Sequence, residues 1–195
     1  MLVSIIIPVY NEEEAIAPLM EKLIKTESRL SNIMFEIIFV DDCSNDKTAN
    51  NLEKQKEKYP KNNLSIISLV RNYGQTTAIT AGINKATGEV LITLDGDMQN
   101  DPDDIPHLLK KLNQGYDVVS GWRKNRKDKY LTRVLPSKVA NWIISKISGV
   151  KLHDYGCTLK AYRRDIIKDV NLYGEMHRFI PIYASWEGAK VIEII

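Results

Sequence analysis

In Thr93-Leu94-Asp95-Gly96-Asp97-Met98-Gln99 two carboxylates stand one residue apart. The glycine between them lets the backbone turn, so both can reach one hard divalent cation, Mg2+ or Mn2+. A cation held there neutralises the two phosphates of a nucleotide diphosphate and helps it depart as a leaving group. A lone Asp-x-Asp is a weak motif, and it reads equally as a polar turn in which Asp97 caps its neighbour. Two further clusters share its character. Val40-Asp41-Asp42-Cys43-Ser44-Asn45-Asp46 carries two acids able to accept hydrogen bonds from a nucleobase imide or a ribose hydroxyl, while Ser44 to Asp46 read as cap and turn residues. Pro8-Val9-Tyr10-Asn11-Glu12-Glu13 offers a ring to stack on a base and Glu12 to hold a ribose; in the other reading Asn11 caps a helix and the acids complement its dipole. No glycine-rich phosphate loop is present, which argues against a kinase, a P-loop hydrolase or a dinucleotide-dependent dehydrogenase.

The elements that must position these clusters follow from hydrophobic periodicity. Val3–Ile7, Phe35–Val40, Leu64–Val70 and Val90–Leu94 are apolar runs of the kind that form strands buried on both faces of a parallel sheet. Helical spacing separates them. Ala15–Leu30 repeats Ile16, Leu19, Met20, Leu23 and Ile24. Lys47–Tyr59 is polar and solvent-facing, with Asp46 as its cap, and Thr76–Ala86 follows Gly74 and stops before Gly88 as terminator. Beyond the fourth strand come a helix over Asp103–Asn113, a strand over Asp117–Gly121 and an amphipathic helix over Val134–Ile147. A strand over Thr158–Tyr162, a helix over Arg178–Trp186 and a strand over Val191–Ile195 follow. Alternating strands and helices predict an α/β fold, a mostly parallel Rossmann-like sheet flanked by helices in a single domain. Such sheets bind ligands at the carboxyl ends of their strands, where all three acidic clusters and Arg71–Gly74 fall.

The bulk numbers set limits. With 195 residues, 44% hydrophobic and 27% charged, the chain suits one globular core. A net charge of +2 gives no reason to expect a nucleic-acid partner. Locally the balance differs: Arg123 to Lys138 holds seven Lys or Arg against the single acid Asp128, an anion-attracting patch or a solvated loop. Cys43 and Cys157 lack metal-site spacing and read as reduced thiols of a cytoplasmic protein. No apolar run nears the ~18 residues of a membrane span. The chain reads as soluble, and the abrupt last strand as cut from something longer.

The three clusters in this order resemble the inverting family 2 glycosyltransferases of the GT-A fold, over nearly all of the chain. Arg71-Asn72-Tyr73-Gly74-Gln75, Ala81-Gly82, Asp95 to Pro102 and Gly121-Trp122-Arg123 are similar to the branch that makes polyprenyl-phosphate sugars, dolichyl or undecaprenyl; Asp154 to Arg163 and Glu175 to Phe179 complete the likeness. The resemblance implies nucleotide contacts at Pro8, Tyr10, Asn11, Glu12, Asp41, Asp42, Asp95 and Gly96, and a metal and diphosphate site at Asp95, Asp97 and Gln99. It implies catalytic roles for Asp154, as candidate base, and Arg123. Arg123, Arg126, Arg133, His177 and Arg178 are the implied acceptor-phosphate residues. Residues 1–195 then form the catalytic domain of a longer protein at the cytoplasmic face of a membrane, with a UDP- or GDP-sugar as donor. A phosphate acceptor has its second pKa near ~6, so it needs charge compensation more than a base. Arg123, Lys124, Arg126, Lys127, Lys129 and Arg133 supply positive charge, and Arg grips phosphate oxygens in pairs. Two alternatives stand beside this reading: a family 2 transferase acting on a hydroxyl, with Asp154 a stronger base, and a non-catalytic nucleotide-sugar binder. In the adjoining helix Val139 and Ile143 are expected in the core, while Trp142 is open to core or membrane interface.

Overall fold

The computed structural model describes residues 1–123, 135–168, 170 and 172–195, with side chains from Val139 onward in the helix that begins at Leu135. Lys124, Arg126, Lys127, Lys129 and Arg133, and the expected helix start at Val134, lie outside the described residues.

Strand β1 (Leu2–Val9) is central because both of its faces are apolar. Val3, Ile5, Ile7 and Val9 point to one side and pack on α1 (Ile16–Ser28) through Leu19, Met20 and Leu23. Ile6 points to the other side and meets α3 (Gln75–Lys85) through Ala78, Ile79 and Ile83. Period-2 alternation, with apolar residues on both faces, thus creates a helix–sheet–helix sandwich. Gly82 makes the close approach of α3 possible: a Cβ there would stand 2.3 Å from Ile6 Cγ2.

The remaining elements are β2 (Met34–Asp41), α2 (Thr48–Lys58), β3 (Asn63–Ser68), β4 (Val90–Thr93), a 3-10 turn at Pro102–Asp104, α4 (Ile105–Asn113), β5 (Val118–Gly121) and α5 (Leu135–Ser148). They are followed by β6 (Lys160–Arg163), the short α6 (Arg164–Ile167), a 3-10 turn at Met176–Phe179, α7 (Ile180–Trp186) and β7 (Val191–Ile194). The sheet order is β3-β2-β1-β4-β6-β5-β7. Among the described strands β6 alone is antiparallel to its neighbours, β4 and β5. The carboxyl ends of β1, β2, β3, β4 and β5 therefore share one edge with the amino end of β6.

Several local expectations shift. β3 pairs only with β2 and is half-buried, because an edge strand is covered on fewer sides than its apolar run suggests. Asp46 caps α2 as expected, its carboxylate accepting from Thr48 N at 2.9 Å, and it also accepts from Glu13 N at 3.2 Å, tying α2 to the β1 loop. Gly88 does not act as a left-handed helix stop. A Cβ at that position would stand 2.8 Å from Ser4 N, so glycine is needed there for the backbone to pass β1.

α5 departs furthest. Val139, Trp142, Ile143 and Ile147 are all exposed, at 52%, 63%, 44% and 82%, so Val139 and Ile143 are not core. The helix docks instead by a small polar face: Asn141 Nδ2 donates to His153 O at 2.7 Å, Ser145 Oγ to Leu152 O at 3.1 Å, and Ser148 Oγ shares a hydrogen bond with Tyr155 Oη. Satisfied polar bonds to an irregular backbone fixed the orientation, and the apolar stripe was turned outward.

Candidate active site

At the acidic end of the sheet, neighbouring strand ends are stapled together by side chains. Asn11 N donates to Ser44 Oγ at 2.9 Å and Asn45 N to Asn11 Oδ1 at 2.8 Å, while Glu12 N donates to Thr48 Oγ1 at 2.8 Å. Asp41 Oδ1 accepts from Ser44 N at 3.0 Å. Asp42 accepts from Tyr73 N and Gly74 N, both at 2.8 Å, which fixes the loop after β3. Asn11, Cys43 and Met98 have φ of 56°, 63° and 63°. Non-glycine residues in the left-handed region thus mark the ends of β1, β2 and β4, and such strain persists where surrounding bonds over-determine the backbone. The β1 and β4 ends touch: a Cβ on Gly96 would lie 2.6 Å from Val9 Cγ1. The glycine between the two acids is a contact requirement as well as a turn.

Asp95 accepts from Gln75 Nε2 at 2.6 Å. Burial raises its pKa, with Asp97 adding to the rise against the Thr158 and Gln75 hydrogen bonds. Burial also raises that of Glu12, followed by the charges of Asp97, Asp46 and Asp95. Crowded carboxylates of this kind favour a nearby cation. Among the described residues no group of three His, Cys, Asp or Glu is placed to hold a metal. The carboxylates of Asp95 and Asp97 on one cavity wall are the donor type that a hard divalent ion takes in ones or twos, with phosphates and water as its other ligands.

Across the pocket the chemistry changes sign. Arg123, just past β5, donates from Nε to Asp154 Oδ2 at 3.0 Å and from Nη2 to Asp154 Oδ1 at 3.3 Å. Burial works against its charge, yet Asp154 more than offsets this and raises the Arg123 pKa. Asp154 is 3% exposed. His177 is buried and shares a 2.6 Å hydrogen bond between Nδ1 and Thr76 Oγ1; burial pushes its pKa down to about 4, so it is neutral at pH 7. Arg178 pairs with Glu175 at 3.0 Å in solvent. Lys160 is buried beneath the site and donates to Tyr155 O at 2.9 Å; burial lowers its pKa to about 8. Burial raises the Cys157 thiol, which makes it a poor nucleophile.

One cavity of about 740 Å³ is lined by Pro8, Tyr10, Glu12, Asp42, Asp95, Gly96, Asp97, Gln99, Arg123, His177 and Arg178, all anticipated from sequence. Asn11 and Asp41 hold the turns and are not on the cavity wall, and Asp154 backs Arg123 from behind it. Arg126 and Arg133 lie outside the described residues. Gln75, Asn141, Tyr155, Thr158 and Phe179 also line the cavity and had no assigned role. Gln75 had a readable signal, as the first helical residue after the third strand end. Asn141 and Tyr155 had none, because their place depends on how α5 packs.

The class follows from fold and sequence together. The glycosyl transferase family 2 model matches residues 4–170, and the chain belongs to that family, with the GT-A fold. It is 47% identical over 183 residues to a dodecaprenyl-phosphate galacturonate synthase of Rhizobium johnstonii, covering 93% of this chain and 54% of that protein. An undecaprenyl-phosphate 4-deoxy-4-formamido-L-arabinose transferase of Photorhabdus laumondii is 46% identical over 192 residues, covering 98% and 58%. The chain thus spans a little over half the length of these curated relatives. Among solved structures, a Pyrobaculum calidifontis mannosyltransferase in complex with GDP-Man and Mn2+ superposes with a TM-score of 0.70 at 21% identity, covering 98% of this chain and 54% of that one. A Mycobacterium tuberculosis glucosyl-3-phosphoglycerate synthase bound to Mn2+, UDP-glucose and phosphoglyceric acid gives 0.72 at 15% identity, covering 98% and 68%.

Proposed function

We propose that residues 1–195 are the catalytic domain of a transferase that moves a sugar from a UDP- or GDP-sugar to a polyprenyl phosphate with inversion. The observation that carries this reading is that one cavity holds both the Asp95 and Asp97 carboxylates and the Arg123 guanidinium. A nucleotide diphosphate needs a cation beside its phosphates, and an acceptor phosphate needs a cation of its own. Pro8, Tyr10 and Glu12 offer the base and ribose contacts, with Asp41 and Asp42 holding the turns that frame them. Asp95 and Asp97, with Gln99 beside them, would hold Mg2+ or Mn2+, which supplies charge neutralisation for the departing diphosphate.

Arg123 lines the cavity, where its charge meets the acceptor phosphate, while Asp154 holds its Nε and Nη2 through both oxygens. The phosphate oxygen attacks the anomeric carbon from the face opposite the diphosphate, and inversion follows. A hydroxyl acceptor would need a base. Asp154, off the cavity wall and engaged by Arg123, is poorly placed for that work, which favours the phosphate. Neutral His177 contributes a hydrogen bond near the phosphates rather than charge.

The acceptor's lipid chain bears on location. Ala140, Asn141 and Ile144 of α5 line the cavity, and the adjoining stripe of Val139, Trp142, Ile143 and Ile147 faces outward. An apolar stripe at the lip of a phosphate-binding cavity suits the cytoplasmic surface of a bilayer, where the lipid's tail stays embedded. No described helix is long and apolar enough to cross a membrane.

Thermal shift with UDP, GDP and their sugars, each with and without Mn2+, tests donor binding. Transfer is then compared between undecaprenyl phosphate and free sugars. The reading requires a Mn2+-dependent shift and product only on the lipid phosphate; product on the free sugar alone would replace it with the hydroxyl-acceptor reading.

A further inference from the structure

Two short segments meet behind the cavity, and they meet residue by residue. Trp122 stacks on His153 with ring centroids 4.4 Å apart and planes inclined by 14°, and the next pair along is Arg123 with Asp154. Both segments hang from the edge strand β7. Trp122 N donates to Ile194 O at 2.7 Å, which fixes the Arg123 side. Glu193, one residue earlier on β7, fixes the other side: its Oε1 accepts from His153 N at 2.8 Å and from Asp154 N at 3.0 Å, and its Oε2 lies 2.7 Å from His153 Nδ1. The Glu193 side chain is 8% exposed.

A buried carboxylate taking two backbone N–H groups and a ring nitrogen is costly to leave unpaired, and its bonds are charge-assisted. It sits on β7, while the segment it grips lies between α5 and β6 and is irregular. Such a segment has no ladder of its own to hold it, so the side chain substitutes for a strand partner. Because Asp154 N is one of the gripped groups, whatever moves Glu193 moves the carboxylate that aims Arg123.

We infer that Glu193 is a positioning residue: it acts on transfer through Asp154, and through Asp154 on Arg123, without touching either substrate. This rests on the proposed role of the Arg123–Asp154 pair at the acceptor phosphate. A misplacement on the order of 1 Å at a reacting group can cost about a hundredfold in rate. The expected loss for Glu193→Ala is about tenfold to a hundredfold in kcat, with the KM for the nucleotide sugar unchanged because the acidic half of the cavity is untouched. Glu193→Gln keeps an acceptor oxygen for both backbone N–H groups and recovers most of the rate.

A double-mutant cycle with Asp154→Ala, run on the acceptor that the wild-type chain uses, separates this from general damage. If Glu193 works through Asp154, Glu193→Ala adds less than threefold to the loss already caused by Asp154→Ala. Losses that multiply, or a raised KM for the nucleotide sugar, would overturn the inference. Amide hydrogen exchange gives a readout independent of catalysis: His153 and Asp154 exchange faster in Glu193→Ala, with the UDP·Mn2+ or GDP·Mn2+ thermal shift retained. Unchanged exchange at both amides also overturns it. Should Glu193→Ala fail to fold, the same cycle is run with Glu193→Gln and Glu193→Asp, where full activity in Glu193→Asp, whose shorter side chain cannot span the same bonds, counts against the idea. Failure of lipid-phosphate transfer with accelerated exchange intact would instead count against the acceptor reading alone.

Discussion

The two halves of the cavity are built by different means. The acidic half takes residues from the ends of β1, β2, β3 and β4, all parallel, and staples neighbouring strand ends together by side-chain bonds that span 31 to 36 positions. The basic half takes Arg123 from the end of β5, Asp154 from an irregular segment, His177 from a 3-10 turn and its support from β7, with the antiparallel β6 inserted between β4 and β5. One half follows from a rule about strand ends; the other depends on long-range insertion. The lesson is that the acids are held by the turns of adjacent parallel strands, whereas the Arg123–Asp154 pair is placed by an irregular segment and an edge strand that no regular repeat brings together.

The comparison breaks most visibly on the acidic side. Asp97→Ala is expected to lower metal-dependent transfer about a thousandfold, the scale of removing a group that stabilises charge developing in the transition state. Turnover within tenfold of wild type in a Mn2+ titration would remove the metal site from this position. On the basic side, Asp154→Ala should cost about a hundredfold because Arg123 loses its anchor, while Asp154→Asn keeps an oxygen for the guanidinium and stays within about tenfold. Equal, near-complete loss in both variants under steady-state assay would make Asp154 an essential base.

A smaller effect sharpens the contrast at the lip. Trp142→Glu combined with Ile143→Glu is expected to lower transfer to undecaprenyl phosphate in vesicles about tenfold and leave a short-chain, water-soluble polyprenyl phosphate unaffected. Equal rates on both acceptors would mean the α5 stripe meets something other than a bilayer.

The smallest effect concerns stability. His177 titrates at about 4 in the fold because burial disfavours its charge, below the ordinary 6.5. Between these values the unfolded chain binds more protons at this residue, so stability rises with pH across that window and is lost as pH falls from 6.5 toward 4. The contribution is about 3 kcal/mol, and His177→Gln should flatten that part of the pH dependence in urea unfolding.

How far the sequence could be read follows the same division. Its apolar runs and the acids that follow them were enough to find β1, β2 and β4 and to bring Glu12, Asp42, Asp95 and Asp97 to one cavity, because a strand's end and its turn are consecutive in the chain. Which of the two adjacent acids, Asp41 or Asp42, reaches the cavity wall depends on the twist of one turn, held by Ser44. The α5 stripe could not be oriented from periodicity, which finds a face but not what covers it. Asn141 and Ser145 decided that by bonding to carbonyls that come into position only once residues 152–153 are folded.

Composition and local order therefore determined the layered α/β sheet, the acidic strand ends and the glycine between Asp95 and Asp97. Only the tertiary structure decided that Asp154 stands behind Arg123 rather than free in the cavity, and that Glu193 holds it there. The physical reason is order: parallel βαβ units return each strand end beside the last, so the neighbours of the acids follow from the sequence of elements, whereas the Glu193 carboxylate is satisfied by whichever backbone donors the completed fold brings within 3 Å, here those of His153 and Asp154.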